Sequence, residues 1–133
     1  MEVHIKLPLS YRNKNYVGSI FGGSLFSAVD PIYMVQLINI LGDEYIVWDR
    51  SAEIFFKRPA KETAFGFFQY DQEEIEKIKA DVKEKGEIEL KKTTLLTDLS
   101  KTNVFCEIIK TIYVADKSFY FEKRKKKTER TNF

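Results

Sequence analysis

Apolar and polar positions change period several times along the chain, and each change predicts an element. Val3-His4-Ile5-Lys6-Leu7 alternates with period two and then meets Pro8, the pattern of a short edge strand. Residues 10–19 are polar and aromatic, with two asparagines and a glycine, and read as a shaped loop. From Ser24 to Leu41 apolar residues fall at Leu25, Phe26, Val29, Ile32, Tyr33, Leu37 and Ile40, the period of a helix. Ala28, Met34, Val35 and Ile38 are apolar too. The expectation is one helix buried on most sides, bent at Pro31 and closed at Gly42.

Residues 45–58 return to alternation. Ile46, Trp48, Ala52, Ile54 and Phe56 fall on one face and Asp49, Ser51, Glu53 and Lys57 on the other, and Pro59 ends the strand. Residues 63–70 form a second, aromatic strand. Residues 72–85 are charged, with Ile75, Ile78 and Val82 at helical spacing, which predicts a short surface helix closed by Gly86. Residues 88–99 and 102–114 are β-rich and meet at Ser100-Lys101, a hairpin. Beyond Asp116 the pattern decays into lysine and arginine. With no internal repeat, the chain reads as one domain over residues 1–116 and a basic tail over 117–133.

One apolar helix followed by four strands is the layout of an α+β domain, a curved antiparallel sheet wrapped around one long central helix, with a short surface helix added. Such a sheet leaves an edge strand and an outer face exposed. Pairing two sheets edge to edge covers the edge, so a homodimer is expected.

Composition narrows the classes. Eleven Phe, seven Tyr and one Trp among 133 residues supply a core without disulfides, and Cys106 is the single cysteine. With no secretory signal evident, the expected setting is reducing and cytoplasmic. The longest apolar run, residues 32–41, is interrupted by Gln36 and Asn39, so no integral membrane association is expected. Net charge is +2, but residues 122–130 carry six basic and two acidic side chains, leaving the body slightly acidic. That balance gives no support to a nucleic-acid-binding fold. Neither Cys/His ligand spacing nor a glycine-rich nucleotide fingerprint occurs, so neither a metal nor a resident cofactor is expected.

The chemistry concentrates between Asn15 and Pro31. Gly22-Gly23 stands at the mouth of the apolar helix, where backbone comes close to a ligand and free N–H groups favour a developing negative charge. Asp30, about two turns in, is the one acid near that spot. Plainer readings stand beside these. Asp30-Pro31 is also a helix start with Asp as N-cap, and the glycine pair is also a tight turn. Ser24 offers a hydroxyl as cap or ligand contact, and Ser27 lies nearby, but no histidine in the motif would activate either. His4 reads as ordinary. Asp49 reads as an ion-pair partner of Arg12 or Arg50, or else as a second catalytic carboxylate. Cys106, among Val104 and Ile108, reads as a core thiol.

These residues resemble the hotdog-fold thioesterases over nearly the whole length. Phe21-Gly22-Gly23-Ser24-Leu25-Phe26-Ser27-Ala28-Val29-Asp30 is similar to the His-Gly-Gly motif and following acid of phenylacetyl-CoA-type thioesterases, with Phe21 where that branch has histidine. It is closer to an uncharacterised thioesterase-like branch carrying Asn-x-x-Gly-x-x-Phe-Gly-Gly, Asp-Pro-x-Tyr, Leu-Gly-x-x-Tyr-x-Val-Trp-Asp and Phe-x-Arg-Pro. Those motifs appear here at residues 15–23, 30–33, 41–49 and 56–59. The resemblance implies a site between two subunits. Gly22 and Gly23 would polarise a thioester carbonyl, Asp30 would act as base or nucleophile, and Asn15 would position it.

Phe21, Phe26 and Tyr33 would line an acyl pocket and Ser24 would contact substrate. Lys57, Arg58 or the run Lys123-Arg124-Lys125-Lys126-Lys127 would meet coenzyme A phosphates, though that run also reads as a solvated, disordered tail or a contact for an anionic membrane. The function implied is acyl-CoA hydrolysis by a homodimer or tetramer, with coenzyme A as part of the substrate. The alternative is a non-catalytic acyl-CoA or fatty-acyl binding module in which Asp30 is a cap.

Overall fold

Five strands and four helices make up the chain in a computed structural model describing residues 2–16, 18–20 and 22–131, with backbone alone at 130 and 131. The chain order is β1 (Glu2–Leu7), α1 (Gly22–Val29), α2 (Ile32–Leu41), β2 (Tyr45–Phe56), β3 (Ala64–Gln69), α3 (Gln72–Lys85), β4 (Glu87–Thr97), β5 (Val104–Asp116) and α4 (Lys117–Thr131). The strands form one antiparallel sheet in the order β1-β3-β4-β5-β2, so β1 and the longer β2 are its edges.

Leu25, Val29, Tyr33, Leu37 and Leu41 recur every fourth residue and are all buried, which lays α1 and α2 on the inner face of the sheet. Phe68, Leu96, Cys106, Ile108 and Ile112 meet them there as the floor of the core. The helix is not buried on most sides as its composition suggested. Val35 and Ile38, on its far side, remain 45% and 43% exposed in the single chain. Taken together, Gly22–Leu41 is 20 residues long and holds an 18-residue window of mean hydropathy 1.4, long and apolar enough to cross a membrane, which corrects the run-length expectation. Its buried stripe of five residues, seated on the sheet, is that of a core helix.

Two further expectations are corrected. The outer tail is a helix: Asp116 Oδ2 accepts from Phe119 N at 3.0 Å at its start, and Phe119 and Tyr120 anchor α4 on the outer face. In β2, Asp49 lies opposite Ile112 and Ser51 opposite Thr111, leaving Arg50 as an extra residue. This bulge reverses the alternation part-way along the strand. Val47 and Asp49 therefore share the inner face with Ala52, Ile54 and Phe56, while Trp48 turns outward onto Tyr113.

Candidate functional site

The rod formed by α1 and α2 is interrupted at Asp30-Pro31. Asp30 N donates to Phe26 O at 2.8 Å and closes α1, and α2 restarts with Pro31 in the N-cap position and no side-chain cap. Asp30 is therefore not the cap of α2. Its carboxylate turns instead to the sheet, where Lys110 Nζ donates to Asp30 Oδ1 at 2.7 Å. The same ammonium lies 3.0 Å from Asp49 Oδ2 and 5.4 Å from the centre of the Phe26 ring. Two carboxylates from the helix break and β2 thus converge on one lysine of β5.

Lys110 has a side chain only 4% exposed. Burial works against its charge, but hydrogen bonds and attraction from Asp30 and Asp49 outweigh that and raise its pKa above the ordinary lysine value. Two carboxylates around one ammonium leave the cluster with one net negative charge. Asp49 is 21% exposed and Asp30 46%, so the surplus faces solvent at Asp30. Asp49 Oδ1 is buried with no hydrogen-bond partner among the described residues. Lys92 stands directly across from Lys110 on β4, a like-charge pair that would repel. It has its own acid: Glu74 Oε1 lies 3.0 Å from Lys92 Nζ.

Gly22 and Gly23 are the first two residues of α1, whose opening N–H groups have no intrahelical acceptor. A Cβ at Gly22 would sit 2.9 Å from the Phe56 ring, so its bare backbone lets the helix start rest against the end of β2. Gly22 and Asp30 are eight residues apart on one rod, about 12 Å at 1.5 Å per residue. The donors and the acid of one chain therefore do not share a spot, which corrects the expectation that Asp30 is within reach of the glycine pair.

The remaining expected residues separate. Asn15 folds into its own loop: its Oδ1 accepts from Ser19 N at 3.1 Å and from Ser19 Oγ at 3.2 Å. Tyr33 is a core anchor rather than a pocket wall. It is 4% exposed, donates to Thr93 O and accepts from Thr94 Oγ1. Phe26 lies beside the triad, Ser24 is half-buried in the first turn of α1, and Phe21 lies outside the described residues. Arg58 Nη1 donates to Asn103 Oδ1 at 2.7 Å and Lys57 lies over the Phe55 ring, both exposed and tied to the β4–β5 end.

Asp49 pairs with Lys110, and Arg50 pairs instead with Glu89 at 3.1 Å. Burial pushes the Cys106 thiol up to about 11. Sequence reading missed Lys110. Its signal was a lysine at a core-facing place in the alternation Cys106, Ile108, Lys110, Ile112, Val114, where only a paired charge is tolerated.

A family model described as a domain of unknown function, DUF4442, matches residues 1–114. No curated protein matches by sequence. Among solved structures, a Pseudomonas aeruginosa protein of unknown function described as a probable thioesterase superposes with TM-score 0.75 at 23% identity, over 86% of this chain and 76% of that one. A Haemophilus influenzae thioesterase gives TM-score 0.62 at 11% identity, over 86% and 72%. A Streptococcus mutans protein bound to acetyl-CoA gives TM-score 0.59 at 14% identity, over 86% and 82%. At these identities the likeness establishes the fold, which is the hotdog architecture.

Proposed function

The chain belongs to the DUF4442 family, and we propose that it is a thioesterase that hydrolyses acyl-CoA at a site shared by two protomers. The observation that carries this reading is Asp30. It is a half-exposed carboxylate breaking an apolar helix and held through Oδ1 by a buried ammonium. The resemblance of the Gly-Gly and Asp-Pro motifs to thioesterases supports it, as do fold neighbours described as thioesterases and one holding acetyl-CoA.

Helix geometry supports a role for a second protomer. Twelve or so ångströms separate Asp30 from the α1 start within one chain, so a carbonyl held by those N–H groups needs the acid of another copy. The β2 edge, 12 residues long and carrying exposed Phe55 and Phe56 at one end, is the natural seam for a two-fold pair.

In this arrangement water attacks the thioester carbonyl carbon while Asp30 takes its proton through Oδ2. The carbonyl π pair moves to oxygen, and the oxyanion is held by the α1 N–H groups of the facing protomer. Collapse restores the C=O bond, breaks the C–S bond, and the leaving thiolate takes the proton back from Asp30. Lys110 fixes the orientation of Asp30 through its hydrogen bond to Oδ1. Phe26 and Phe56 contribute apolar wall for the acyl chain, a role Tyr33 cannot share from the core.

Release of free coenzyme A thiol from short, long and aromatic acyl-CoAs tests this directly. Turnover is expected in the wild type and a loss of about 100-fold or more in Asp30→Asn, with folding retained. Saturable acyl-CoA binding without turnover in either form would replace the enzyme with a binding module.

A further inference from the structure

α4 lies on the outer face of the sheet beside the β2 edge, and its own contacts fix how it is rotated there. Tyr120 points down onto the sheet, meeting Trp48 edge-on at 5.2 Å between ring centres. Phe119 packs where a Cβ on Gly86 would stand, and Lys123 pairs with Glu87, so the flank that carries both faces the start of β4. At about 100° per residue, Phe121 and Lys125 fall on the other side of Tyr120. With β2 outermost in the order β4-β5-β2, that flank overlooks the free edge of the sheet. Phe121 is 51% exposed and Lys125 is exposed. The edge below them is bare as well, since Arg50, Ser51, Ala52 and Glu53 are all exposed.

The far end of β2 presents the complement on the same outer face. Phe55 alternates with the inward Ile54 and Phe56, is 43% exposed, and stands opposite Glu107 of β5. Glu53 points outward from the same edge. Lys57 lies over the Phe55 ring, so two carboxylates and one ammonium leave this corner with one net negative charge. Among the described residues, no ion pair holds Glu53, Glu107 or Lys125. One end of the edge therefore offers an aromatic ring and a cation from α4. The other end offers an aromatic ring and carboxylates.

We propose that α4 is a clasp between two copies of this chain, with Phe121 and Lys125 of one protomer docked on the partner's Phe55 and Glu53. Two-fold antiparallel pairing about the middle of β2 sets the Tyr45 end of one strand beside the Phe56 end of the other. Unlike ends then meet, and symmetry makes the contact twice. Neighbouring strands lie about 4.8 Å apart, a gap that side chains on the flank of a helix resting on one strand can cross. This inference rests on the β2 seam invoked for hydrolysis and adds a contact that the strands alone do not make. α4 begins beyond residue 114, the last one matched by the family model, so the clasp is built from chain outside the matched region.

Sedimentation equilibrium of the whole chain reads the dimer dissociation constant, and subunit exchange reads it where the dimer is too tight to dissociate. Phe121→Ser is expected to weaken the dimer by about tenfold or more, and Lys125→Glu by about fivefold. Both side chains are exposed in the single chain, so the fold should be retained. Glu53→Lys alone should weaken the dimer as Lys125→Glu does. Combining the two should restore it to within about twofold of wild type, a rescue that a role within one chain would not produce.

A dimer indifferent to Phe121→Ser and Lys125→Glu would overturn the clasp and leave the β2 seam standing. So would a loss in Lys125→Glu that Glu53→Lys does not rescue, because this flank would then meet some other surface. A chain still monomeric at about 100 μM would overturn the clasp and the two-protomer site together. A clasped dimer that fails to turn over acyl-CoA would uphold the clasp and refute hydrolysis alone.

Discussion

Lys110→Met is the sharpest test of the triad because it removes one charge and little volume. Asp49, 21% exposed and already carrying a buried oxygen without a partner, loses the ammonium 3.0 Å from its other oxygen. Removing one member of a buried ion pair costs roughly 3–5 kcal/mol. Asp30 is 46% exposed and rehydrates, so its share falls toward the ~0–1 kcal/mol of a surface pair. The expected destabilisation is about 2–4 kcal/mol, a large part of the ~5–15 kcal/mol that holds a domain folded. For a chain this long that is roughly 10 °C in Tm.

Urea unfolding at pH 7 reads the midpoint and slope together, and the slope should not change. The pH dependence gives a second readout. Because the Lys110 pKa is raised in the folded state, its contribution is complete below the ordinary lysine value and is lost as pH rises through the folded value. The gap between wild type and Lys110→Met should therefore stay level from about pH 7 to 10 and close above that. Adding Asp49→Leu should recover most of the loss, since replacing both members by apolar groups is near neutral. A gap below about 1 kcal/mol, or one that widens in alkali, would refute the triad as a structural unit.

Gly86→Ala should loosen α4. Gly86 has φ +83°, and a Cβ there would run into the Phe119 ring, so a loss of about 1–3 kcal/mol is expected. Trp48 emission should shift to the red as Tyr120 leaves it, and trypsin should cut first within α4. Cys106, fully buried and with its thiol pushed up to about 11, should resist disulfide reagents at pH 8 until the protein unfolds. A labelling rate that ignores added urea would contradict that burial.

Elements announced by a strong local period were legible in the sequence. The charged helix with Ile75, Ile78 and Val82 on one side is α3, closed at its start by the Asp71–Glu74 capping box. The β2 faces were not legible, because one inserted residue shifts a period-two pattern by a full face. Strict alternation put Trp48 beside Ile54, and the bulge at Arg50 sends them to opposite sides. Lys110 was hidden for another reason. Its partner Asp30 stands 80 residues earlier, and only the packing of the helix break on β5 joins them. The basic C-terminal stretch has almost no apolar period of its own, and its docking depends on rings that other strands present.

The bulge at Arg50 is the feature on which both faces of the sheet depend at this edge. Ala52, Ile54 and Phe56 must face the helices to serve the inner face, and regular alternation back from them would turn Trp48 inward and Asp49 outward. An aromatic ring would then crowd Lys110, and the ammonium would lose its second carboxylate. The outer face would lose the ring on which Tyr113 and Tyr120 converge. One extra residue in an edge strand, where insertion is tolerated most easily, settles both placements at once. It aims an acid at the buried lysine behind Asp30 and a tryptophan at the basic helix on the far side. The two faces therefore carry different chemistry, carboxylate and ammonium within, aromatic ring and cation without, from two consecutive residues of the same strand.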